Sequence, residues 1–222
     1  MNRKLFNLYV LFIIILFATG TLHAQSPYKN QLKLSPFRLI DFVNPGLELS
    51  YERMYHKKYS TQLSAAWMSD PLQATEFKNY NGERIALEEK YFYMQKKYLR
   101  TYFSAELVVL NTNFETVNRF VDTTGGFTIS NYHNSYRDTF SVHKRTQSFY
   151  LKGGIQFTLK RLTFDFSAGL GLKHKHITQA GRFDPNDPRY SIMKSITNLS
   201  GSNDGDRSGP TIPLNAKIGF LF

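Results

Sequence analysis

The 222-residue chain has no cysteine and a single tryptophan. Without a thiol it can form no disulfide, offers no cysteine nucleophile and builds no cysteine-ligated zinc or iron–sulfur centre. Acid is scarce as well, with 17 Asp and Glu against 28 Lys and Arg and a formal net charge of +11. Beyond the first two dozen residues there is no long apolar run, so no later segment reaches the ~20 apolar residues of a spanning helix. What is abundant is aromatic: 19 Phe and 14 Tyr. A chain that is 15% aromatic and 41% hydrophobic is not generally disordered. Its apolar residues are spread among polar ones instead of being gathered into blocks.

The exception is the N-terminus. Arg3 and Lys4 precede an apolar run from Leu5 to Ala18, followed by Gly20, Thr21, Leu22-His23-Ala24 and the polar Gln25-Ser26-Pro27. A basic start, a short greasy stretch and a small residue at the cut have the form of a secretory signal peptide. The expected division is a signal peptide over 1–24 and one domain over 25–222. Loss of Arg3 and Lys4 leaves 26 basic against 17 acidic residues.

The remaining chain carries period-two alternation eight times. Ile212, Leu214, Ala216, Ile218, Phe220 and Phe222 fall on one face of the last segment, opposite Pro213, Asn215, Lys217 and Gly219, with Leu221 out of phase. Leu162, Phe164, Phe166, Ala168, Leu170 and Leu172 repeat the pattern, as do Phe149 to Phe157, Leu99 to Val109, Leu63 to Trp67 and Leu47 to Tyr51. Successive strand side chains point to opposite faces, so each segment reads as a strand with one apolar side. Gln31–Ile40 shifts phase near Pro36, and Glu83–Gln95 can be read in either phase.

The connections alternate in length. His56-Lys57-Lys58, Gln95-Lys96-Lys97 and Lys160-Arg161 are tight; Ser69–Gly82, Thr112–Arg145 and His174–Pro210 are long and rich in loop formers, and Asp41–Pro45 is intermediate. Short turns at one end and long loops at the other are the plan of a membrane β-barrel. Strands of about 11 residues, rising ~3.3 Å each and tilted ~40°, climb roughly 28 Å, near the ~25 Å apolar band of such barrels. Tyr51, Tyr55, Tyr59, Trp67, Tyr98, Phe220 and Phe222 stand near strand ends, where aromatic girdles form. The expected fold is all-β: an eight-stranded antiparallel up-and-down transmembrane β-barrel after a cleaved signal peptide. Its polar face would turn Glu48, Glu52, Glu106, Lys152, Asp165, Lys173 and Lys217 into the lumen as a charge network. Eight strands leave a bore that side chains fill.

With these features the chain resembles the small eight-stranded outer-membrane barrels of the OmpA and OmpX type. The opening segment from Leu34-Ser35-Pro36-Phe37 to Asn44-Pro45-Gly46 and Leu47–Arg53 is similar to the first hairpin of uncharacterised families of such barrels. The resemblance implies an outer-membrane location and a terminal signal, here Ile218, Phe220 and Phe222, read by the barrel-assembly machinery. It implies no single activity, since these families include adhesins, stress-response proteins and lipid-modifying enzymes.

Candidate chemistry is sparse. The basic turns Lys57, Lys58, Lys96, Lys97, Lys160 and Arg161 form one rim suited to outer-membrane lipid headgroups, not nucleic acid. His174 and His176 share a strand face ahead of Asp184 and Asp187, but read as a solvated strand end and not a metal site. Asn203-Asp204-Gly205-Asp206 lacks the distal Glu of a calcium loop. His133 and His143 lie near Ser130, Ser135 and Ser141 without a nucleophile elbow. Gly169 and Gly171 lack a phosphate-loop setting and read as space for lumen side chains. No cofactor or catalytic residue is expected. The leading expectation is a non-enzymatic surface barrel whose long loops expose Phe114, Phe120, Phe127, Tyr132, Tyr136, Phe140 and Tyr190. The alternatives are an outer-membrane acyl hydrolase or transferase, and a soluble secreted barrel binding an apolar ligand. Intact mass of the protein extracted from membranes checks the leader: a chain starting at Gln25 is expected, and one starting at Met1 contradicts cleavage.

Overall fold

The computed structural model describes residues 29–36, 38, 46–69, 77–121, 135–182 and 205–222. The expected leader over 1–24 lies outside them, as do Phe127, Tyr132, His133, Asp184, Asp187 and Tyr190. Nine strands follow in order: β1 (Asn30–Ser35), β2 (Gly46–His56), β3 (Tyr59–Met68), β4 (Phe77–Gln95), β5 (Leu99–Val121), β6 (Ser135–Leu159), β7 (Leu162–Ala180), β8 (Gly205–Thr211) and β9 (Leu214–Leu221). Each pairs antiparallel with its neighbour from β1 to β7; β7 then pairs with both β8 and β9, and β9 returns to β1. The wall is therefore a ring of eight, its last member split in two. Pro210 and Pro213 flank the split, where a residue with no N–H cannot serve the ladder. Closure satisfies the backbone groups that an open sheet would leave at its edges.

Over the lower part of the wall, alternation places the apolar stripes outside. Leu34, Leu49, Leu63, Leu87, Phe103, Leu107, Leu151, Leu170 and Ile218 are exposed on the outer wall. In a water-soluble protein this surface would be an extreme liability; in hydrocarbon it is the solvent-matched face. On β5 the outward apolar positions run from Leu99 to Val109, ten residues that climb about 25 Å at ~3.3 Å each and ~40° tilt. Tyr59 packs on Tyr91 at 5.2 Å and Tyr93 stacks on Phe103 at 4.9 Å between ring centroids, forming an aromatic belt beside the tight turns. Phe220 and Phe222 face outward, whereas the out-of-phase Leu221 is buried inside.

The ambiguous segment resolves into one phase. Ile85, Leu87, Glu89, Tyr91 and Tyr93 point outward, and Phe92 is fully buried in the bore. Glu89 obscured this pattern because it is a charge on the outer face, near the aromatic belt, where it accepts hydrogen bonds from the Tyr55 and Thr61 hydroxyls. Pro36 ends β1. Two glycines make room for rings inside the bore. A Cβ at Gly154 would collide with the ring of Tyr102, and one at Gly171 would collide with the ring of Tyr150.

The expectation of a long loop over Thr112–Arg145 is corrected: β5 continues to Val121 and β6 begins at Ser135. The expectation that Phe114, Phe120 and Phe140 are exposed anchors is corrected with it, because all three are buried, and Tyr136 is half-buried against them. They join Met68, Tyr80, Val142 and Ile177 in an apolar cluster on the inner face of the extended strands. Beyond Val109 the outer positions become polar, with Asn111, Asn113 and Glu115 on β5 and Gln147, Arg145 and His143 on β6. The apolar pattern thus changes face where the wall leaves the lipid. From Val109 to Val121 is twelve residues, or about 30 Å of rise at the same tilt.

Arginine substitution reads this boundary. Ile155→Arg is expected to cost ~2–4 kcal/mol and Val117→Arg ~0–1 kcal/mol, because Ile155 stands midway along the outward apolar row from Phe149 to Leu159 and meets the middle of the bilayer, whereas Val117 lies beyond the lipid. Urea unfolding of the barrel in phospholipid vesicles measures both, and equal costs would contradict the placement.

Candidate functional site

Among the described residues, the bore of the membrane-spanning wall holds five buried acids and five buried bases: Glu48, Glu52, Glu88, Glu106 and Asp165 against Lys33, Arg84, Lys90, Lys152 and Lys217. They arrive on alternate inward positions of seven strands, opposite the lipid-facing residues described above. Toward the tight turns, Lys90 Nζ lies 3.0 Å from Glu52 and 2.7 Å from Asp165, and Lys33 bridges the same two carboxylates. The Tyr102 hydroxyl donates to Asp165 at 2.5 Å, and Ser60 donates to Glu52 at 2.8 Å.

Nearer the long-loop end, Arg84 spans Glu48 at 2.8 Å and Glu106 at 3.1 Å. Lys217 reaches Glu48 at 2.7 Å, and Lys152 reaches Glu88 at 2.8 Å and Glu106 at 3.0 Å. Arg38, past the end of β1, also contacts Glu48 at 2.9 Å. Gln62 and Ser104 donate to Glu88, filling remaining lone pairs. A single buried ion costs several kcal/mol to desolvate, so such groups persist only as mutually neutralised, hydrogen-bonded sets. The space among Gln62, Glu88, Lys90, Tyr102, Asp165 and Lys217 does not admit a water molecule. A cavity of about 250 Å³ lies beyond it, lined by Arg38, Arg84, Glu106, Tyr150 and residues around Pro213.

Six of the seven charges read from the sequence (Glu48, Glu52, Glu106, Lys152, Asp165 and Lys217) come together here. Lys173 does not. It faces inward higher up β7, and among the described residues it enters none of these ion pairs. Lys33, Arg84, Glu88 and Lys90 were missed, and all four lie in the two segments whose phase was ambiguous.

Above the lipid band, Lys144 on β6 is buried on the inner face, with its ammonium 5.8 Å from the centre of the Phe114 ring. Burial, with Lys175 and Lys173 nearby, pulls its pKa down to about 8. Lys175 is lowered too, by burial and by Lys173 and Arg207.

The outer histidines occupy the polar surface just beyond the lipid. His176 Nδ1 is 2.7 Å from Asp206, and His174 Nδ1 is 2.9 Å from Ser208 Oγ. His174 Nε2 stands 3.7 Å from the same Asp206 oxygen, too far for a hydrogen bond. Ser208, His174 and Asp206 therefore have the residue types of an acyl-transfer triad without its relay: Asp206 is committed to His176, and all these groups are open to water. His143 contacts Asn113 and, among the described residues, hydrogen-bonds to no serine. Among the described residues no cluster of three His, Asp or Glu side chains could hold a metal ion.

A closed wall with an apolar outer band and an ion-filled interior defines a transmembrane β-barrel. No protein-family model and no curated protein matches the chain. Among solved structures, the chain is similar to Neisserial surface protein A at 10% identity and a TM-score of 0.42, covering 89% of this chain and 100% of that one. A major outer membrane protein from Thermus thermophilus is similar at 10% identity and a TM-score of 0.41, covering 90% and 100%.

Lys90 tests the interior network. Lys90→Met leaves Glu52 and Asp165 under-neutralised and is expected to lower unfolding free energy in vesicles by ~3–5 kcal/mol. Lys57→Met, on an exposed turn, is expected to stay within about 0.5 kcal/mol. A loss below about 1 kcal/mol at Lys90 would show that the network is not balanced by that lysine.

Proposed function

We propose that this protein is a non-enzymatic barrel of a bacterial outer membrane that carries a structured, surface-facing extension for recognition or envelope architecture. The observation that carries the reading is the extension itself. The strands β5 and β6 leave the lipid paired and packed on an inner apolar cluster, so the barrel holds an ordered platform about 30 Å beyond the membrane. The blocked bore argues against a channel. After removal of residues 1–24, Ile218, Phe220 and Phe222 would present the terminal signal to the barrel-assembly machinery. The basic turns, Lys57, Lys58, Lys96, Lys97, Lys160 and Arg161, are exposed and would face the inner-leaflet phospholipid headgroups. The exposed apolar wall speaks against the soluble, ligand-binding alternative.

The acyl hydrolase or transferase reading now centres on Ser208 and His174, whose 2.9 Å contact is the one observation in its favour. One set of cells separates the two. Epitopes inserted between Gly125 and Gly126 are expected to be labelled on intact cells, and epitopes between Lys57 and Lys58 only after permeabilisation. Lipid A and phospholipid acyl profiles are expected to be the same with the wild-type chain, Ser208→Ala or His174→Ala. Reversed labelling would overturn the surface display, and an acyl change lost in both variants would replace it with the enzyme.

A further inference from the structure

We propose that the inner face of the extension holds a binding site for a soluble, compact polyanion of the phosphate class, gripped by Lys144, Lys173, Lys175 and Arg207. The proposal goes beyond the display role, which would stand if it failed.

The lower bore is neutralised residue against residue, so the excess positive charge of the interior is concentrated above it. Register puts the four cations in one patch. Lys175 pairs directly with Arg207 on β8 and with Thr146 on β6; Lys173 is two residues along the same face, and Lys144 is on the diagonal. Direct partners have their Cβ atoms ~5 Å apart and diagonal ones ~7–8 Å, within reach of one small ligand for long side chains. Burial first, and then neighbouring cations, lower both pKa values: Lys175 and Lys173 act on Lys144, and Lys173 and Arg207 act on Lys175.

Acid is distant on these strands. Among the described inner-face residues, the nearest carboxylates along β6 and β7 are Asp138, six residues from Lys144, and Asp165, eight residues from Lys173. Those separations are about 20 Å and 26 Å along the strands. Glu106 sits opposite Tyr150, also six residues from Lys144, and is already bound to Arg84 and Lys152. Asp206 lies on the outer face with His176.

The second observation is a pair of hydroxyls. Thr112 is directly opposite Lys144, and Thr146 is directly opposite Lys175. Their exposures are 0% and 5%, and neither Oγ1 finds a hydrogen-bond partner among the described residues. Buried polar atoms are ordinarily satisfied. Two orphan donors interleaved with lysines form a lining that an oxyanion completes. A phosphate ester fits better than a monocarboxylate because several cations converge on a small volume and ask for more than one negative charge. Access is from the β8 side, where Arg207 is exposed and Lys173 and Lys175 are half-buried. The patch lies on the inner face above the lipid band, with the paired strands between it and the surrounding membrane, so the source is a soluble solute and not a headgroup.

Calorimetric titration of the full barrel in uncharged detergent tests this, with inorganic pyrophosphate as probe and acetate as comparator. Saturable pyrophosphate binding is expected, at least tenfold tighter than acetate and weakened by salt. Lys175→Met and Arg207→Met are each expected to weaken it at least tenfold, with Lys175→Arg retaining most of the affinity. Arg145→Met, on the outer face, is expected to leave it unchanged. The unheated electrophoretic mobility of each variant confirms that it folds, and Arg207→Met, at an exposed position, remains informative if an inner lysine variant does not. Absence of saturable pyrophosphate binding, or equal affinity in wild type and Arg207→Met, would overturn the site.

Discussion

The cost of leaving an ion unpaired away from water organises this molecule. Lipid outside the wall makes charge costly there, so alternation sends most ionisable side chains of the spanning strands into a bore too narrow to hydrate them, Glu89 being an outward exception held by the Tyr55 and Thr61 hydroxyls. They are stable there only because acids and bases occur in equal number and interlock across strands distant in sequence. Lys33 and Asp165, or Lys217 and Glu48, meet only when the ring has closed in the correct register. A one-residue slip in any of the seven charge-bearing strands would turn a charge toward hydrocarbon and strand its partner inside. The network therefore specifies register as well as filling the lumen.

Above the membrane the same strands obey the opposite rule. In β5, Phe103, Leu107 and Val109 face out, whereas Phe114 and Phe120 face in. The backbone alternates without interruption; what changes is the solvent. With water outside, the apolar side chains turn inward and build an ordinary core, Phe120 packing against Phe140 at 5.8 Å. The chain is an inside-out protein joined to a right-side-out one along continuous strands. The joint lies near Val109, Gln147 and Leu172, and Lys144, Lys173 and Lys175, which enter no ion pair among the described residues, lie just beyond it.

This change of face explains what could be read from the sequence. The barrel, its even strand number, the tight basic turns and the outward Phe220 and Phe222 follow from unbroken period-two runs. Where the face reverses after Leu110, the alternation no longer favours one side, and the segment looks like a loop although its pairing continues. Phe114, Phe120 and Phe140 were consequently read as exposed. The lumen was legible where strands were clean, as for Glu48, Glu106 and Lys217. It was obscured in β4, where outward Glu89 and inward Phe92 each break the expected polarity, and that hid Arg84, Glu88 and Lys90. Lys173 has the inward phase that was read for it, but phase gives a face and not a height. Its place above the network depends on how the neighbouring strands are staggered.

Because the chain has no native cysteine, the central claim can be measured directly. Single cysteines placed from Tyr102 to Phe114 in β5, spin-labelled and reconstituted in vesicles, report oxygen and water accessibility residue by residue. The account predicts lipid-type oxygen access at positions 103, 105, 107 and 109, protection at the even positions between them, and water access at 111 and 113 with 112 and 114 still protected. Lipid access at the even positions, or alternation that stops at Leu110, would contradict it.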